Sequence, residues 1–279
     1  MIKKCFAKIN LSLDIISKRA DGYHNIDTLM ARINLFDKLE IEKTSDGKFT
    51  YDSNVSLGKV EDNLIFKAYE VMKNLAGEKA TGIRVKLTKN IPVAAGLAGG
   101  STNAAETMKA LNELWNLGLS KNDIMEAGAK LGADIPFFFL ERAARATGIG
   151  EILDPFSIKT PLKVLLVNDG TSIASAHVYK NTKLFGHIKT GEIAKSLSQG
   201  SWEFVEDFEN VMEDVVLRDF PHLKVIKENL TNHGALKALV SGSGASIFGI
   251  FKDEKCLDMA YEGLKDSYNF VRKVDLIDD

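Results

Sequence analysis

Residues 92 to 102 read Pro92-Val93-Ala94-Ala95-Gly96-Leu97-Ala98-Gly99-Gly100-Ser101-Thr102 and run without a break into Asn103 and Ala104. Behind them Ala104, Met108, Leu111 and Trp115 recur at helical spacing as far as Gly118, so the glycine-rich stretch is predicted to open a helix. Glycines leave backbone N–H groups uncovered, and a helix start adds the positive end of its dipole; together these suit a polyphosphate. A connector with no ligand is the other reading, but Gly96, Gly99, Gly100, Ser101 and Thr102 crowd together more than a turn requires. The motifs G-x-x-x-x-G-K-S/T and G-x-G-x-x-G are absent, as are the catalytic-loop and D-F-G motifs of protein kinases, so a different phosphate-binding fold is needed.

Around this loop lies a chain of 279 residues, 45% hydrophobic and 27% charged, which suits a soluble globular protein of one large domain or two ordinary ones. Lysine and arginine total 36 against 38 acidic residues, and a net charge of -2 gives no bulk attraction to nucleic acid or anionic lipid. Cys5 and Cys256 fit a reducing compartment as two unpaired thiols, have no zinc spacing, and receive no role. The opening MIKKCFAKINLSLDII interrupts its apolar pattern with Lys8, Asn10 and Asp14, so no secretory leader is read there. No apolar run approaches the ~18 residues of a membrane span, and a cytoplasmic protein is expected.

Upstream of the loop, Ala7, Ile9, Leu11, Leu13 and Ile15 alternate with Lys8, Asn10, Ser12 and Asp14, which predicts a half-buried strand. Ala20-Asp21-Gly22 reads as a turn, followed by a second segment through Leu39 and Ile41 and another turn over Lys43 to Lys48. A helix is predicted over Leu64 to Leu75 and a strand over Gly82 to Leu87. Downstream, Ser120 and Asp123 form a variant capping box for a helix ending at Gly132, and Ile135, before Pro136, is expected to be extended. Phe137 to Leu140 and Ala144 to Ile152 read as strands or connecting turns.

Pro155 and Pro161 precede an apolar strand over Leu162 to Val167 and mark the boundary between domains 1–157 and 158–279. Beyond it, Phe204, Phe208, Val211 and Val215 predict an amphipathic helix, and Pro221 opens another. Ala235 to Val240 and Ala245 to Phe251 form apolar runs around Ser241-Gly-Ser-Gly244, before a helix near Glu254 to Lys265 and a strand near Phe270.

The loop P-V-A-A-G-L-A-G-G-S-T-N-A-A resembles the nucleotide-binding motif of the GHMP small-molecule kinases, and Val240-Ser-Gly-Ser-Gly-Ala-Ser-Ile-Phe248 resembles that family's C-terminal motif. Within the family, a closer likeness rests on Ala7-Lys-Ile-Asn-Leu11, Arg19-Ala-Asp-Gly-Tyr-His24, Asp62-Asn-Leu-Ile65, Leu131-Gly-Ala-Asp-Ile-Pro-Phe137 and Gly148-Ile-Gly-Glu-Ile-Leu153. It extends from residue 7 to residue 251, and R-A-D-G-Y-H is its most discriminating string. The resemblance implies a two-domain α/β (α+β) fold, the N-terminal half like domain 2 of ribosomal protein S5 and the C-terminal half ferredoxin-like. It also implies ATP as co-substrate, Mg²⁺, and phosphorylation of the 2-hydroxyl of a cytidine diphosphate methylerythritol in non-mevalonate isoprenoid synthesis.

Asp134, in a short junction, either turns the chain or accepts the proton of an acceptor hydroxyl; the family's G-A-D-x-P pattern assigns it the second role. Lys8 and Asn10 share a strand face at a Cα spacing of about 6.5 Å. Lys8 is an exposed strand lysine on composition alone, whereas the resemblance makes it the catalytic partner that keeps Asp134 ionised and favours an alkoxide-like oxygen. The resemblance further places Asn63 near the adenine, Pro92 to Thr102 around the nucleotide, and Asn10, Leu13, Tyr23, His24, Ser175 and Tyr179 against the acceptor. Tyr23 and His24 would read the cytosine, with Tyr179 as the other aromatic wall, and Ser101 and Thr102 would reach phosphate oxygens or Mg²⁺; no carboxylate is named as a metal ligand.

Three residues depart from the family pattern: Met30 where an aromatic is common, Ala98 where glycine is usual, and Ala176 where proline often follows the Ser or Thr. Met30 and Ala176 bear on the cytidine pocket more than on the kinase chemistry. A family member acting on homoserine, mevalonate or a sugar would keep the glycine loop without needing Tyr23 and His24. A non-catalytic RNA-binding module would leave Lys8 and Asp134 unexplained and is disfavoured by the near-neutral charge.

Overall fold

The computed structural model describes residues 1–278, which fold as two compact units. The first comprises Met1–Ala7, Leu35–Ile91 and Ala98–Leu140, and the second Lys8–Asn34, Pro92–Leu97 and the chain from Glu141 onward. Two long strands, β1 (Ile2–Lys18) and β2 (His24–Thr44), contribute residues to both units and are joined by a turn at Ala20 to Gly22.

In the first unit the C-terminal half of β2 pairs antiparallel with β4 (Gly82–Thr88), and β3 (Phe49–Ser53) runs parallel to β4 on its other side. Helix α1 (Leu64–Ala76) lies between β3 and β4 in sequence; it buries Ile65, Ala68, Tyr69 and Met72 and packs on α2 (Gly99–Leu114). Asn63 caps α1 by accepting the Ile65 N–H at 2.9 Å. The glycine loop leads into α2 as predicted, and α3 (Lys121–Ala129) starts on the expected capping box, with Ser120 and Asp123 each accepting the other's backbone N–H.

The second unit holds the remaining parts of β1 and β2, with β5 (Ala143–Thr147) antiparallel to β2 and β6 (Ile152–Phe156) antiparallel to β5. Its other sheet contains β7 (Lys163–Asn168), β8 (Lys237–Val240), β9 (Ile247–Phe251) and β10 (Phe270–Val274) in the order β10-β7-β9-β8, all antiparallel. Between β7 and β8 run α4 (Ser175–Asn181), α5 (Thr190–Ser198), α6 (Glu213–Asp219) and α7 (Leu223–Asn232), and α8 (Glu254–Leu264) connects β9 to β10. With α7 against β8 and β9 and α8 against β7, this is the βαββαβ order of a ferredoxin-like sheet with helices added. Leu165, Val167, Ile226, Leu230, Ile247 and Leu257 belong to its core, and a short β11 (Leu276–Ile277) pairs with β2. Among the described residues no helix is long and apolar enough to cross a membrane.

Four local expectations need correction. Strand β1 is not half-buried: every residue from Ala7 to Ile15 is buried, because Lys8, Asn10 and Asp14 on the polar face meet hydrogen-bonding partners rather than water. Ile135 is helical rather than extended; it caps a single 3₁₀ turn, Pro136–Phe139, whose four residues are all buried, so packing overrides the steric bias before proline. Of the strand or connecting turn read at Phe137 to Leu140, the structure thus has the turn; α3 stops at Ala129, short of Gly132. Finally, Phe204 to Asn210 is not helical. Leu13 accepts the Val211 N–H and donates its own to Glu209, drawing this segment alongside β1, and α6 begins only at Glu213.

Candidate active site

The second unit assembles a compact polar knot from four segments distant in sequence. Lys8 Nζ donates to Asn10 Oδ1 at 2.6 Å and to the Gly96 carbonyl at 3.3 Å, and Lys8 is only 4% exposed. Asn10 donates through Nδ2 to Thr28 Oγ1 (2.8 Å), whose hydroxyl donates to the Ser12 carbonyl (2.6 Å). This chain fixes the Asn10 amide with its oxygen toward the ammonium. The same Gly96 carbonyl accepts Ser241 Oγ at 3.0 Å, and the Ala95 carbonyl accepts the Ser246 N–H at 3.2 Å.

A Cβ on Gly96 would lie 1.9 Å from the Ser241 carbonyl oxygen, and one on Gly242 would lie 3.4 Å from Lys8 Nζ. Backbone approach excludes a side chain at Gly96, whereas a Cβ on Gly242 would be tight against Asn10 Oδ1 at 3.2 Å and the Gly96 carbonyl oxygen at 3.3 Å; both glycines have positive φ. The glycine loop and the Ser241–Gly244 loop, widely separated in sequence, therefore touch directly. Asn210 supports the second loop by donating to the Val240 and Gly242 carbonyls at 2.8 and 2.7 Å.

Tyr23 and His24 follow a turn stiffened by Asp21, which accepts from Arg19 Nε at 3.1 Å and from the Tyr23 N–H at 3.1 Å. Tyr23 is 59% exposed, whereas the His24 ring stacks on Tyr179 of α4 with centroids 5.7 Å apart. Burial, aided by Lys18, holds the His24 imidazole below its ordinary pKa. A neutral ring has one donor and one acceptor nitrogen, the pair needed to read the edge of a planar base. At the first residue of α4, Ser175 Oγ lies 2.7 Å from Ser243 Oγ, tying that helix to the Ser241–Gly244 loop. Met30 is buried in β2 and Ala176 is exposed on α4.

In the first unit, Ala98 caps α2 from the left-handed region (φ 54°), and Gly99, Gly100 and Ser101 form the first turn. Thr102 is buried and Ser101 half-buried, so Ser101 is the more accessible hydroxyl at this helix start. Asp134 is half-buried in the turn before Pro136, held between α3 and the buried 3₁₀ turn. Asn63 uses its side-chain oxygen as the cap of α1.

Leu13 contributes its side chain to the core of the second unit, and both its backbone groups are engaged. The structure thus gathers Lys8, Asn10 and Gly96 in one place, and His24 and Tyr179 in another.

Three polar residues missed by the sequence reading carry much of this scaffolding. Thr28 orients Asn10. Asp14, fully buried, accepts the backbone N–H groups of Gly186, His187 and Ile188 at 2.8–3.0 Å and so fixes the loop after α4. Asp37, also fully buried, collects donors around the glycine loop. A lone aspartate within an apolar strand pattern was the only sequence signal for the last two.

A loop of backbone amides opening a helix, braced by a second glycine-rich loop on a ferredoxin-like sheet, defines a small-molecule kinase of the GHMP type. Family models described as GHMP kinases N terminal domain and GHMP kinases C terminal match residues 63–142 and 187–269. A 4-diphosphocytidyl-2-C-methyl-D-erythritol kinase of Thermoanaerobacter pseudethanolicus is 42% identical, over 96% of this chain and 93% of that protein. Another, of Shouchella clausii, is 40% identical over 98% and 93%. A crystal structure of a 4-(cytidine 5'-diphospho)-2C-methyl-D-erythritol kinase superposes with a TM-score of 0.85 at 30% identity, covering 100% of both chains. The chain belongs to the 4-diphosphocytidyl-2-C-methyl-D-erythritol kinases of the GHMP family.

Proposed function

We propose that this chain transfers the γ-phosphoryl group of ATP to the 2-hydroxyl of 4-diphosphocytidyl-2-C-methyl-D-erythritol, a step of non-mevalonate isoprenoid synthesis. The observation that carries this reading is near full-length similarity to kinases named for that acceptor. The acceptor oxygen attacks the γ-phosphorus, the bond to the β-phosphate bridging oxygen breaks, and ADP leaves. Asp134 takes the hydroxyl proton, and its place between two packed elements supports that role by limiting its freedom.

Lys8 supplies positive charge for the oxygen that becomes nucleophilic. Its bonds to Asn10 and the Gly96 carbonyl hold the ammonium in a defined position, and in this reading Asn10 also contacts the acceptor. His24, with its depressed pKa, reads the cytosine between aromatic walls supplied by Tyr23 and Tyr179, and Ser175 borders that pocket. The amides of Pro92 to Thr102 hold the phosphates, and Asn63 lies at the adenine end.

Among the described residues no group of three or more His, Cys, Asp or Glu forms a metal cage. Mg²⁺ bound to a nucleotide keeps phosphate and water as most of its ligands, so the half-buried Ser101 hydroxyl fits as a protein contact to it. When bound, the ion neutralises charge developing between the β- and γ-phosphates.

Coupled ADP release from purified protein with Mg-ATP tests this reading. Release is expected with the cytidyl acceptor and not with homoserine, mevalonate or galactose; the reverse pattern would discard the cytosine pocket. Asp134→Asn should lower kcat by about 10²- to 10⁴-fold while ATP still binds, and full activity in that variant would remove Asp134 from the base role.

A further inference from the structure

Asp37 lies on β2, 54 residues before the glycine loop reaches Ile91, and is fully buried. Its Oδ1 accepts the backbone N–H groups of Asn90 and Ile91, both at 2.8 Å. Its Oδ2 accepts Lys89 Nζ at 2.7 Å and Asn103 Nδ2 at 3.0 Å. Asn90 and Ile91 form the entry to the glycine loop, and Asn103 lies in the first turns of α2 at its exit. One carboxylate therefore holds both stems of the segment.

Lys89 completes the arrangement. It is 6% exposed in its side chain, donates to the Ile91 carbonyl at 2.8 Å, and its Nζ would lie 2.7 Å from a Cβ on Gly99. Its charge thus rests beneath the start of α2. Asp37 offsets the cost of burying that ammonium and leaves the base of the loop close to neutral, so no unpaired negative charge faces an incoming polyphosphate.

We propose that Asp37 is a positioning residue for the nucleotide: by joining the entry and exit of the glycine loop it holds the backbone amides in the phosphate-binding arrangement before ATP arrives. This rests on the kinase reading above. A loop released at its stems would have to be ordered by the nucleotide, which weakens apparent affinity by the fraction of molecules in the competent arrangement. The acceptor gains nothing from that ordering, so its KM is insensitive to the change.

The test compares wild type with Asp37→Asn and, in case that variant is unstable, with Asn103→Ala, which removes the exit contact and leaves Asp37 with its entry contacts at Asn90, Ile91 and Lys89. Calorimetric binding of Mg-ATP, steady-state KM for each substrate and amide hydrogen exchange over residues 91–103 are measured alongside thermal unfolding. A variant that folds should bind Mg-ATP about tenfold or more weakly, the loss expected for charged hydrogen bonds, with faster exchange in the loop. Its acceptor KM should change by less than about twofold. Unchanged ATP affinity with unchanged exchange overturns the proposal and leaves the kinase reading intact, as does an equal rise in both KM values. A wild type that binds no Mg-ATP overturns the kinase reading and this proposal with it.

Discussion

Adding one methyl group at Gly96 tests the contact between the two glycine-rich loops. In a Gly96→Ala variant the new methyl carbon would meet the Ser241 carbonyl oxygen at 1.9 Å, so the loops must separate by more than about 1 Å to restore ordinary contact. Gly96 also has φ +75°, where an L-residue costs about 1–2 kcal/mol. Adding about 1–3 kcal/mol for overpacking gives a total near 2–5 kcal/mol. For a chain of 279 residues that lowers the melting temperature by roughly 3–9 °C.

The reciprocal change supplies the control. Ala98 already occupies the left-handed region at φ 54°, at the cap of α2. Ala98→Gly removes that strain and gives back about 0.4–1 kcal/mol through the freer unfolded chain, for a net gain of about 1 kcal/mol or less. Thermal and urea unfolding of both variants, with and without Mg-ATP, read the two signs. A Gly96→Ala protein melting within about 2 °C of wild type, or an Ala98→Gly protein destabilised by more than about 1 kcal/mol, would refute the close-approach argument.

Two further outcomes follow from burial. The His24 imidazole, held below its ordinary pKa of 6.5, stays neutral as the unfolded chain takes up its proton; the unfolded state then binds more protons, so stability falls as pH drops through 6.5 and stops changing below the folded-state pKa. NMR titration of His24 should show a midpoint under 6.5, and one above it would contradict the stacked, desolvated geometry. Cys5 is fully buried beside Asn103, and burial pushes its thiol pKa up, so native protein should label with a thiol reagent at half-exposed Cys256 and at Cys5 only after unfolding; rapid native labelling of Cys5 would count against the packing behind the glycine loop.

Elements with strong periodicity or turn chemistry were legible in the sequence: α1, the loop-to-α2 junction, the Ser120 capping box, β4, β8, β9, α8 and β10. Those it missed depend on partners elsewhere in the chain. Helix α4 has seven residues and α5 nine, too short to announce themselves by pattern, and β3 shows only as an edge beside β4. Phe204, Phe208, Val211 and Val215 have helical spacing, yet the bridge to Leu13 holds the segment extended at Asn210.

The site divides similarly. The glycine loop, Lys8, Asn10, Tyr23, His24 and Tyr179 were all readable as candidates, Tyr179 as the other aromatic side of the acceptor pocket, whereas its stacking on His24 emerges only in the structure. The burial of Lys8, Asn10, Ser12 and Asp14 was not readable, because an alternating strand looks the same whether its polar face meets water or buried partners.

That buried polar face has a consequence for how the protein is made. The amides that satisfy Asp14 lie 172 to 174 residues downstream, and the backbone partners of Leu13 lie at Glu209 and Val211. At about 5–20 residues per second, β1 leaves the ribosome roughly 10–40 s before those partners exist. Over that interval β1 has only β2 to pair with, and Ala7, Ile9, Leu11, Leu13 and Ile15 form an apolar stripe that still lacks its downstream cover. Lys8, Asn10 and Asp14 interrupt it from the alternate positions and act as gatekeepers against aggregation. The polar side chains that end up deepest in the folded strand are those that keep it soluble while it waits.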